Sequence, residues 1–161
     1  MTSLIRIETT SNIPRKLRAA YTKASTDAWA DTGREFHVSH RDKRFTTAHG
    51  TQAGYRPRSG EDLGGGKGFS RSYTGRKLKR YGHTRPLEKT GDTRRAVSMA
   101  TLRSSSKSVK VAYPGARKFN FRSAYTDINM ADEFRRILPS ESTSLAKTYE
   151  SSLAERFKKD Q

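Results

Sequence analysis

The chain has 161 residues, enough for one domain with or without an extended arm. Lysine and arginine number 33 against 16 acidic residues, so the formal net charge is +17 and we expect a polyanionic partner or environment. Leu, Ile, Val and Phe make up about 16% of the chain. Chains with a share below roughly 20% and a high net charge usually cannot bury enough apolar surface to fold alone, so we expect disorder in isolation or a core completed by a partner. Cysteine is absent, which excludes disulfides and thiolate metal sites, and no apolar run suits a signal peptide or membrane span.

The first predicted elements are a short strand-like LIRI segment and a helix that ends at Gly33. Asn12 is the predicted N-cap, and Pro14 suits the first turn because the N–H that proline lacks has no partner there. Apolar positions then recur at helical spacing and are mostly alanine, which requires close packing against another element: Leu17, Ala20, Tyr21, Ala24 and Ala28.

Residues 33–95 form the unusual part of the chain. They hold 11 of the 12 glycines and all four histidines, and neither helical nor strand periodicity persists for more than a few residues. Such a long irregular stretch usually indicates function or disorder. Because aromatic residues punctuate it among the basic ones, we predict a long basic, glycine-rich arm or loop that docks onto a surface, with Tyr55, Tyr73 and Tyr81 as interface aromatics.

The C-terminal part has conventional patterns. AVSMATL and SVKVAY predict two antiparallel strands around a turn at Ser104–Lys107. Asn129 can cap a short helix that Pro139 closes, and a last helix is expected to open at Ser140 or Ser142. Its apolar residues recur every four positions: Leu145, Tyr149, Leu153 and Phe157. The predicted fold is therefore α+β, a single domain over residues 1–161 with an N-terminal helix, the basic arm, an antiparallel β-hairpin and C-terminal helices.

Local motifs do not indicate catalysis, a metal or a cofactor. The run Gly64–Gly68 differs from a phosphate-binding loop because no glycine lies five residues before Gly66 and no Ser or Thr follows Lys67. His37, His40 and His49 lie close in sequence without cysteine or suitable carboxylate neighbours, so surface or interface histidines are the expected interpretation. No Ser–His–Asp or Cys–His signature is present, and we predict a protein that is not an enzyme.

The strongest electrostatic feature is the tract SRSYTGRKLKRYGHTR. It predicts a strip of basic side chains that faces either the phosphates of DNA or an acidic neighbouring subunit. No nucleic-acid-reading motif is present, so base-specific recognition is not expected. The residues of the strip are Arg71, Arg76, Lys77, Lys79, Arg80 and Arg85.

The order of several tracts resembles the neck, tail-completion or head–tail connector proteins of long-tailed double-stranded DNA bacteriophages. In that family a proline-leucine, threonine-glycine, arginine tract leads from a loop into a β-hairpin. Pro86-Leu87, Thr90-Gly91 and Arg94-Arg95 stand here in that order. The tracts EFHVSH, GYRPRS and SYTGRK upstream are similar to the family's aromatic and basic punctuation, and AYPG and INMADEFRRILPSE follow in the family's order.

This resemblance implies a non-enzymatic virion protein at the head–tail junction, assembled in the host cytoplasm. It implies a homo-oligomeric ring, a hexamer or a dodecamer, that contacts adjacent neck, portal-adaptor or tail proteins and touches packaged DNA without reading its sequence. Adaptor, tail-completion and tail-terminator positions are all compatible with it. The composition alone also suits an RNA- or ribosome-associated basic binding protein. The predicted hairpin and the acidic content of the final helix argue against that alternative, because they favour packing against protein.

Overall fold

The computed structural model describes residues 14–120 and 127–159, and it confirms the α+β class. Within these ranges, six α-helices and one two-stranded antiparallel sheet are joined by short π- and 3-10 turns. No helix of the described residues is long and apolar enough to cross a membrane. The helices are α1 (Arg15–Glu35), α2 (Thr47–Gln52), α3 (Tyr73–Tyr81), α4 (Asp92–Ala96), α5 (Met130–Arg135) and α6 (Pro139–Lys159), and the strands are β1 (Thr101–Ser104) and β2 (Val109–Ala112).

Residues 33–95 differ from the extended arm that we expected. They contain the end of α1, a π-turn at Phe36–His40, a 3-10 turn at Asp42–Phe45, and the helices α2, α3 and α4 up to Arg95. Each helical piece is short, which explains why no periodicity was visible in the sequence. Glycines end or separate the pieces, as at Gly82, where φ is 71° at the end of α3.

The predicted boundaries of helices and strands differ from the structure at three points. Helix α1 begins directly after Pro14 and continues through Gly33 to Glu35, whereas the expected N-cap Asn12 and the LIRI strand lie outside the described residues. Pro139 opens α6 instead of closing α5, which ends at Arg135. The first predicted strand is shifted, because Ala96 ends α4 and pairing begins only at Thr101.

Helices α1 and α6 pack against each other in antiparallel fashion. The Trp29 and Tyr149 rings lie 4.5 Å apart between centroids, and Tyr21 meets Phe157 edge-on at 6.0 Å. The Ser25 hydroxyl accepts from Tyr149 at 2.8 Å and donates to the carbonyl of Ser106 in the hairpin turn at 2.8 Å. The four-residue repeat of the final helix was therefore predicted correctly as its packing face, and all four side chains are half-buried.

Gly33 lets the hairpin approach α1. A Cβ atom at this position would lie 2.8 Å from Val109 Cγ2, closer than real side chains tolerate, and 3.1 Å from Leu102 Cδ2. The expected helix stop is therefore a contact point inside a continuous helix. Strand β2 pairs with β1 in the register Leu102–Val111, and so presents Val109 to the helix.

A small aromatic core lies between the middle of the chain and α5. Phe134 is its centre: its ring lies 4.7 Å from Phe119, 5.4 Å from Tyr113 and 6.0 Å from Phe45, measured between centroids. Leu87 and Val97 complete the buried cluster. Residues 33–95 thus supply Phe45 and Leu87 to the core, which a detached arm would not do.

A buried ion pair fixes residues 33–95, which we call the middle segment, to the last helix. Arg44 is 0% exposed, and its two terminal nitrogens donate hydrogen bonds to the two oxygens of the Glu141 carboxylate, one of them at 2.8 Å. The same guanidinium donates to the carbonyls of His40 at 2.9 Å and Arg136 at 3.2 Å, and it lies over the Phe36 ring. Because both charges are desolvated, the bidentate geometry and the extra acceptors are what make the pair tolerable.

Glu141 also caps α6. It occupies the third helical position after Leu138, and its carboxylate accepts the Leu138 backbone N–H at 3.0 Å. Pro139 occupies the first position, where proline is favoured. Burial raises the pKa of Glu141, but the hydrogen bonds from Arg44 and the Leu138 N–H outweigh it and hold that pKa below its usual range. His40 and His49 flank the carboxylate, and burial lowers the pKa of both histidines.

Helix α5 provides a second anchor for the middle segment. Glu133 is buried, accepts Arg58 Nη1 at 2.9 Å and receives the Arg56 backbone N–H at 3.0 Å. From the end of the same helix, Arg136 donates to the carbonyls of Ala53 and Gly54, the former at 2.8 Å. The loop after α2 is therefore held by charged hydrogen bonds as well as by the packing of Tyr55 against the core.

We predict that Glu141→Gln lowers the free energy of unfolding by about 3–5 kcal/mol, because it leaves the Arg44 charge buried without a counter-charge. Urea denaturation followed by circular dichroism measures this. Glu150→Gln, at an exposed position of the same helix, should change stability by less than about 0.5 kcal/mol. The double change Arg44→Met with Glu141→Leu should cost less than Glu141→Gln alone, and equal effects of the two glutamine variants would contradict the anchoring role.

Asp31 of α1 makes a pH-dependent contribution to the free energy of unfolding. Burial raises its pKa, but hydrogen bonds from Ser152, Arg34 and Arg156 outweigh burial and lower the pKa to about 2, from an ordinary value of 3.8. A carboxyl group whose pKa is lower in the folded state stabilises the fold above its unfolded pKa and loses that effect as pH falls. The stability difference between wild type and Asp31→Asn should therefore shrink by about 2 kcal/mol between pH 5 and pH 2. A difference independent of pH would rule out this linkage.

Candidate polyanion interface

The predicted basic strip coincides with a well-formed helix, α3, and its flanks. Ser72 caps the helix by accepting the Gly75 N–H at 3.1 Å, and the same hydroxyl donates to the Phe69 carbonyl at 2.6 Å. Gly75 sits so close to Phe69 that an added Cβ would lie 2.0 Å from the Phe69 carbonyl oxygen. The preceding turn and the helix are therefore locked together, which gives the basic side chains a fixed base.

One face of α3 carries three basic side chains, with Tyr73 beside them at the start of the helix. Arg76, Lys79 and Arg80 are spaced at i, i+3 and i+4, so they lie side by side, and all three are exposed. Thr74 and Lys77 are buried on the other side of the helix, with Tyr81 half-buried beside them. Lys79 and Arg80 lie in the last turn, where the helix dipole favours positive charge.

Lys77 differs from the expectation for the strip, because its side chain points into the protein. It is only 6% exposed, donates its ammonium group to the Arg85 carbonyl, and lies 5.9 Å from the Tyr73 ring centroid. Burial lowers the pKa of Lys77 to about 8. This lysine connects α3 to the following loop and is not available to a partner.

The remaining basic residues of the strip are on the surface. Arg71, at the end of the 3-10 turn before α3, is exposed. Arg85 is half exposed and lies 3.7 Å from the Glu88 carboxylate, which offsets part of its charge. Among the described ion pairs none involves Arg71 or the three basic residues of the α3 face. Four basic side chains thus form the candidate surface, which we call the α3 basic face: Arg71, Arg76, Lys79 and Arg80.

The predicted interface aromatics lie in different places. The Tyr55 ring packs edge-on against His49 at 5.7 Å and adjoins the core, and burial raises the pKa of its hydroxyl. Tyr55 is therefore an internal residue, contrary to our expectation. Tyr81 is half-buried with Arg80 stacked over its ring at 5.6 Å, whereas Tyr73 is 38% exposed at the start of α3.

Internal ion pairs engage most of the acidic side chains of the described residues. Two buried carboxylates, Glu133 and Glu141, are held by arginines, and others pair at the surface. The positive charge that is left over therefore resides in exposed side chains such as those of the α3 basic face. The acidic residues in ion pairs are Asp27, Asp31, Asp42, Glu88, Asp92, Asp127, Asp132, Glu133, Glu141 and Glu155.

The histidines do not assemble a metal site in the described part of the chain, where no group of three potential ligands is found. His40 and His49 both approach Glu141, at 3.5 and 3.8 Å, but that carboxylate is already bound by Arg44. They are buried residues of the core, whereas we expected surface or interface positions. His37 instead stacks on Tyr113 at 5.7 Å.

Comparison with known proteins adds no relative. No protein-family model, no curated protein and no solved structure matches this chain. The interpretation of the surface therefore depends on its own chemistry and on the tract order described above.

Lys77 should make stability rise with pH. Its pKa in the folded state, about 8, lies below the ordinary 10.5, so the unfolded chain holds its proton more tightly. The stability of wild type relative to Lys77→Met should therefore increase by on the order of 3 kcal/mol between pH 7 and pH 10.5. Arg76→Gln is the control, because it removes an exposed positive charge from the same helix. A lysine free in solvent would leave the wild-type–Lys77→Met difference flat.

Proposed function

We propose that this protein is a structural, non-enzymatic subunit of a phage head–tail neck, which assembles as a ring and turns its α3 basic face towards DNA. The observation that carries the proposal is the separation of charge. Most carboxylates of the described residues are bound in ion pairs within the chain, while three cations side by side on α3, and Arg71 just before the helix, take part in none of those pairs and are exposed. A surface of this kind attracts phosphates without reading bases, since the sequence has no recognised motif that would place side chains of α3 against base edges in a DNA groove.

The dense positive charge of the face suits the phosphates of DNA, and an acidic neighbouring subunit is the alternative partner. A protein interface is expected to bury aromatic and apolar area among its charges. Of the three aromatics that could supply it, Tyr55 packs inside the chain and Tyr81 is half-buried beneath Arg80, which leaves Tyr73 at the edge. Leu78 on α3 is also exposed, at 42%, so Tyr73 and Leu78 are the apolar area that an acidic neighbouring subunit could cover.

The net charge implies that a ring of this chain needs a polyanion or acidic neighbours beside it. Every copy carries a formal charge of +17, so a ring of six or twelve copies would repel itself strongly without a polyanion or acidic neighbours. A DNA-filled channel supplies that compensation. The tract order around Pro86-Leu87 and Arg94-Arg95, with the hairpin following, is the reason to place this ring at a head–tail junction.

We expect that replacing all four residues of the α3 basic face by glutamine weakens binding to any DNA duplex alike. The slope of log affinity against log salt should fall by roughly one unit for each phosphate that the variant no longer neutralises. The matched control removes four exposed charges elsewhere, through Arg15→Gln, Lys16→Gln, Arg18→Gln and Lys158→Gln. Fluorescence anisotropy on two unrelated duplexes over a salt series measures both variants.

Equal weakening by both variants would show that overall charge, and not this face, binds DNA. Weakening confined to one duplex would require base readout and would contradict the proposal. Negative-stain electron microscopy of the same samples tests assembly: rings support the neck role. A monomer that prefers structured RNA to duplex DNA would favour the RNA-binding alternative instead.

A further inference from the structure

A wide apolar groove lies outside the α3 basic face. It is bounded by α1 and β2 on one side and by α5 and α6 on the other, with a volume of about 890 Å³. Trp29 and Tyr149, stacked on each other, line one part, and Phe134 and Tyr113 line another. No residue of α3 contributes to its lining.

The groove exposes apolar surface that the described fold does not cover. Leu145, whose position marks the apolar face of α6, is only half-buried, and Ile137 at the rim is 52% exposed. Covering apolar surface is favourable by about 25 cal/mol for each square ångström removed from water, so a partner that filled the groove would gain binding free energy. The low content of large aliphatic residues in the chain is consistent with a core that another molecule completes.

The charges at the rim indicate what kind of partner fits. Lys110 on β2, Arg117 after the hairpin and Arg135 at the end of α5 line the groove and are exposed, and Glu150 is the acidic residue among the lining side chains. An excess of positive charge around an apolar floor complements a segment that has acidic residues beside apolar ones. A second copy of this chain would bring a further +17 to a positive rim, which disfavours self-association at this site.

We propose that this groove is a docking site for an acidic segment with apolar anchors, contributed by a different protein. The anchors would occupy the floor formed by Trp29, Phe134 and Leu145, and acidic side chains would pair with Lys110, Arg117 and Arg135. This inference goes beyond DNA binding and is independent of it, because the two surfaces share no residues.

The test selects partners without presupposing their sequence. A ribosome-displayed library of random 16-residue peptides is selected on the immobilised full-length protein at physiological salt, and in parallel on Ala146→Arg. Ala146 is an exposed helical position that lines the groove, so arginine there obstructs it while preserving helix propensity. Subtracting peptides that bind both proteins removes those attracted by net charge alone.

Trp29 provides a direct readout of binding, because it is the single tryptophan of the chain and lines the groove. Synthetic versions of the enriched peptides, which contain no tryptophan, should change its emission on titration. We expect these peptides to combine Asp or Glu with Leu, Phe or Ile, and their affinity to fall about tenfold or more in Ala146→Arg. The triple variant Lys110→Glu, Arg117→Glu, Arg135→Glu should weaken them similarly, whereas the four-glutamine variant of the α3 basic face should bind them like wild type.

Three results would overturn the proposal. The first is an absence of peptides that distinguish wild type from Ala146→Arg, and the second is enrichment of basic or purely polar peptides. The third is concentration-dependent self-association in sedimentation velocity that Ala146→Arg abolishes, which would make a second copy the occupant. Since the α3 variant is included, loss of peptide binding and loss of DNA binding are separately observable.

Discussion

The buried Arg44–Glu141 pair is the interaction on which the rest of the structure depends. It joins the 3-10 turn at Asp42–Phe45 to the first turn of α6, and its guanidinium also binds two backbone carbonyls from different segments. Glu141 acts at once as counter-ion and as helix cap, so the start of α6 and the path of the middle segment are fixed by the same carboxylate. Glu133 of α5 and Arg136, which follows that helix, repeat this design a few residues upstream, on the loop around Arg56.

This arrangement explains how a chain so poor in aliphatic residues positions a surface. Directional charged hydrogen bonds specify where the middle segment lies, and a compact aromatic cluster around Phe134 supplies the apolar packing that they need. The same design has an electrostatic consequence. Carboxylates drawn into the interior and into surface pairs no longer offset the arginines and lysines of α3, so the interactions that hold the fold together also leave its basic face uncompensated.

The sequence predicted long elements well and the middle of the chain poorly. Regular spacing in α6 repeats often enough to be recognised, and Asn129 caps α5 as expected. The four-residue strand β2 was recognised from its β-branched residues and the turn before it. The helices between Thr47 and Ala96 have at most nine residues, too few for a period to emerge. The segments that flank α2 are anchored by partners more than 70 residues away in the chain, Arg44 by Glu141 and Arg58 by Glu133. A signal for one such anchor was present: Pro139 followed by Glu141 is the pattern of a helix start, although nothing local identifies Arg44 as its partner. For the candidate site, composition located the basic strip, but the inward turn of Lys77 follows from the capped geometry of α3.

The most direct test of this view is hydrogen exchange in the isolated, full-length protein at concentrations where it is monomeric. The amides of Arg44, Gly50 and Tyr55 donate to backbone carbonyls within the middle segment, at 3.2, 3.0 and 2.8 Å. If the buried ion pairs hold that segment in place, these amides should be protected nearly as strongly as those in the centre of α6. Exchange at close to the rate of an unfolded chain, with α6 still protected, would show that the segment is a detached arm and would contradict the role assigned to Arg44 and Glu141.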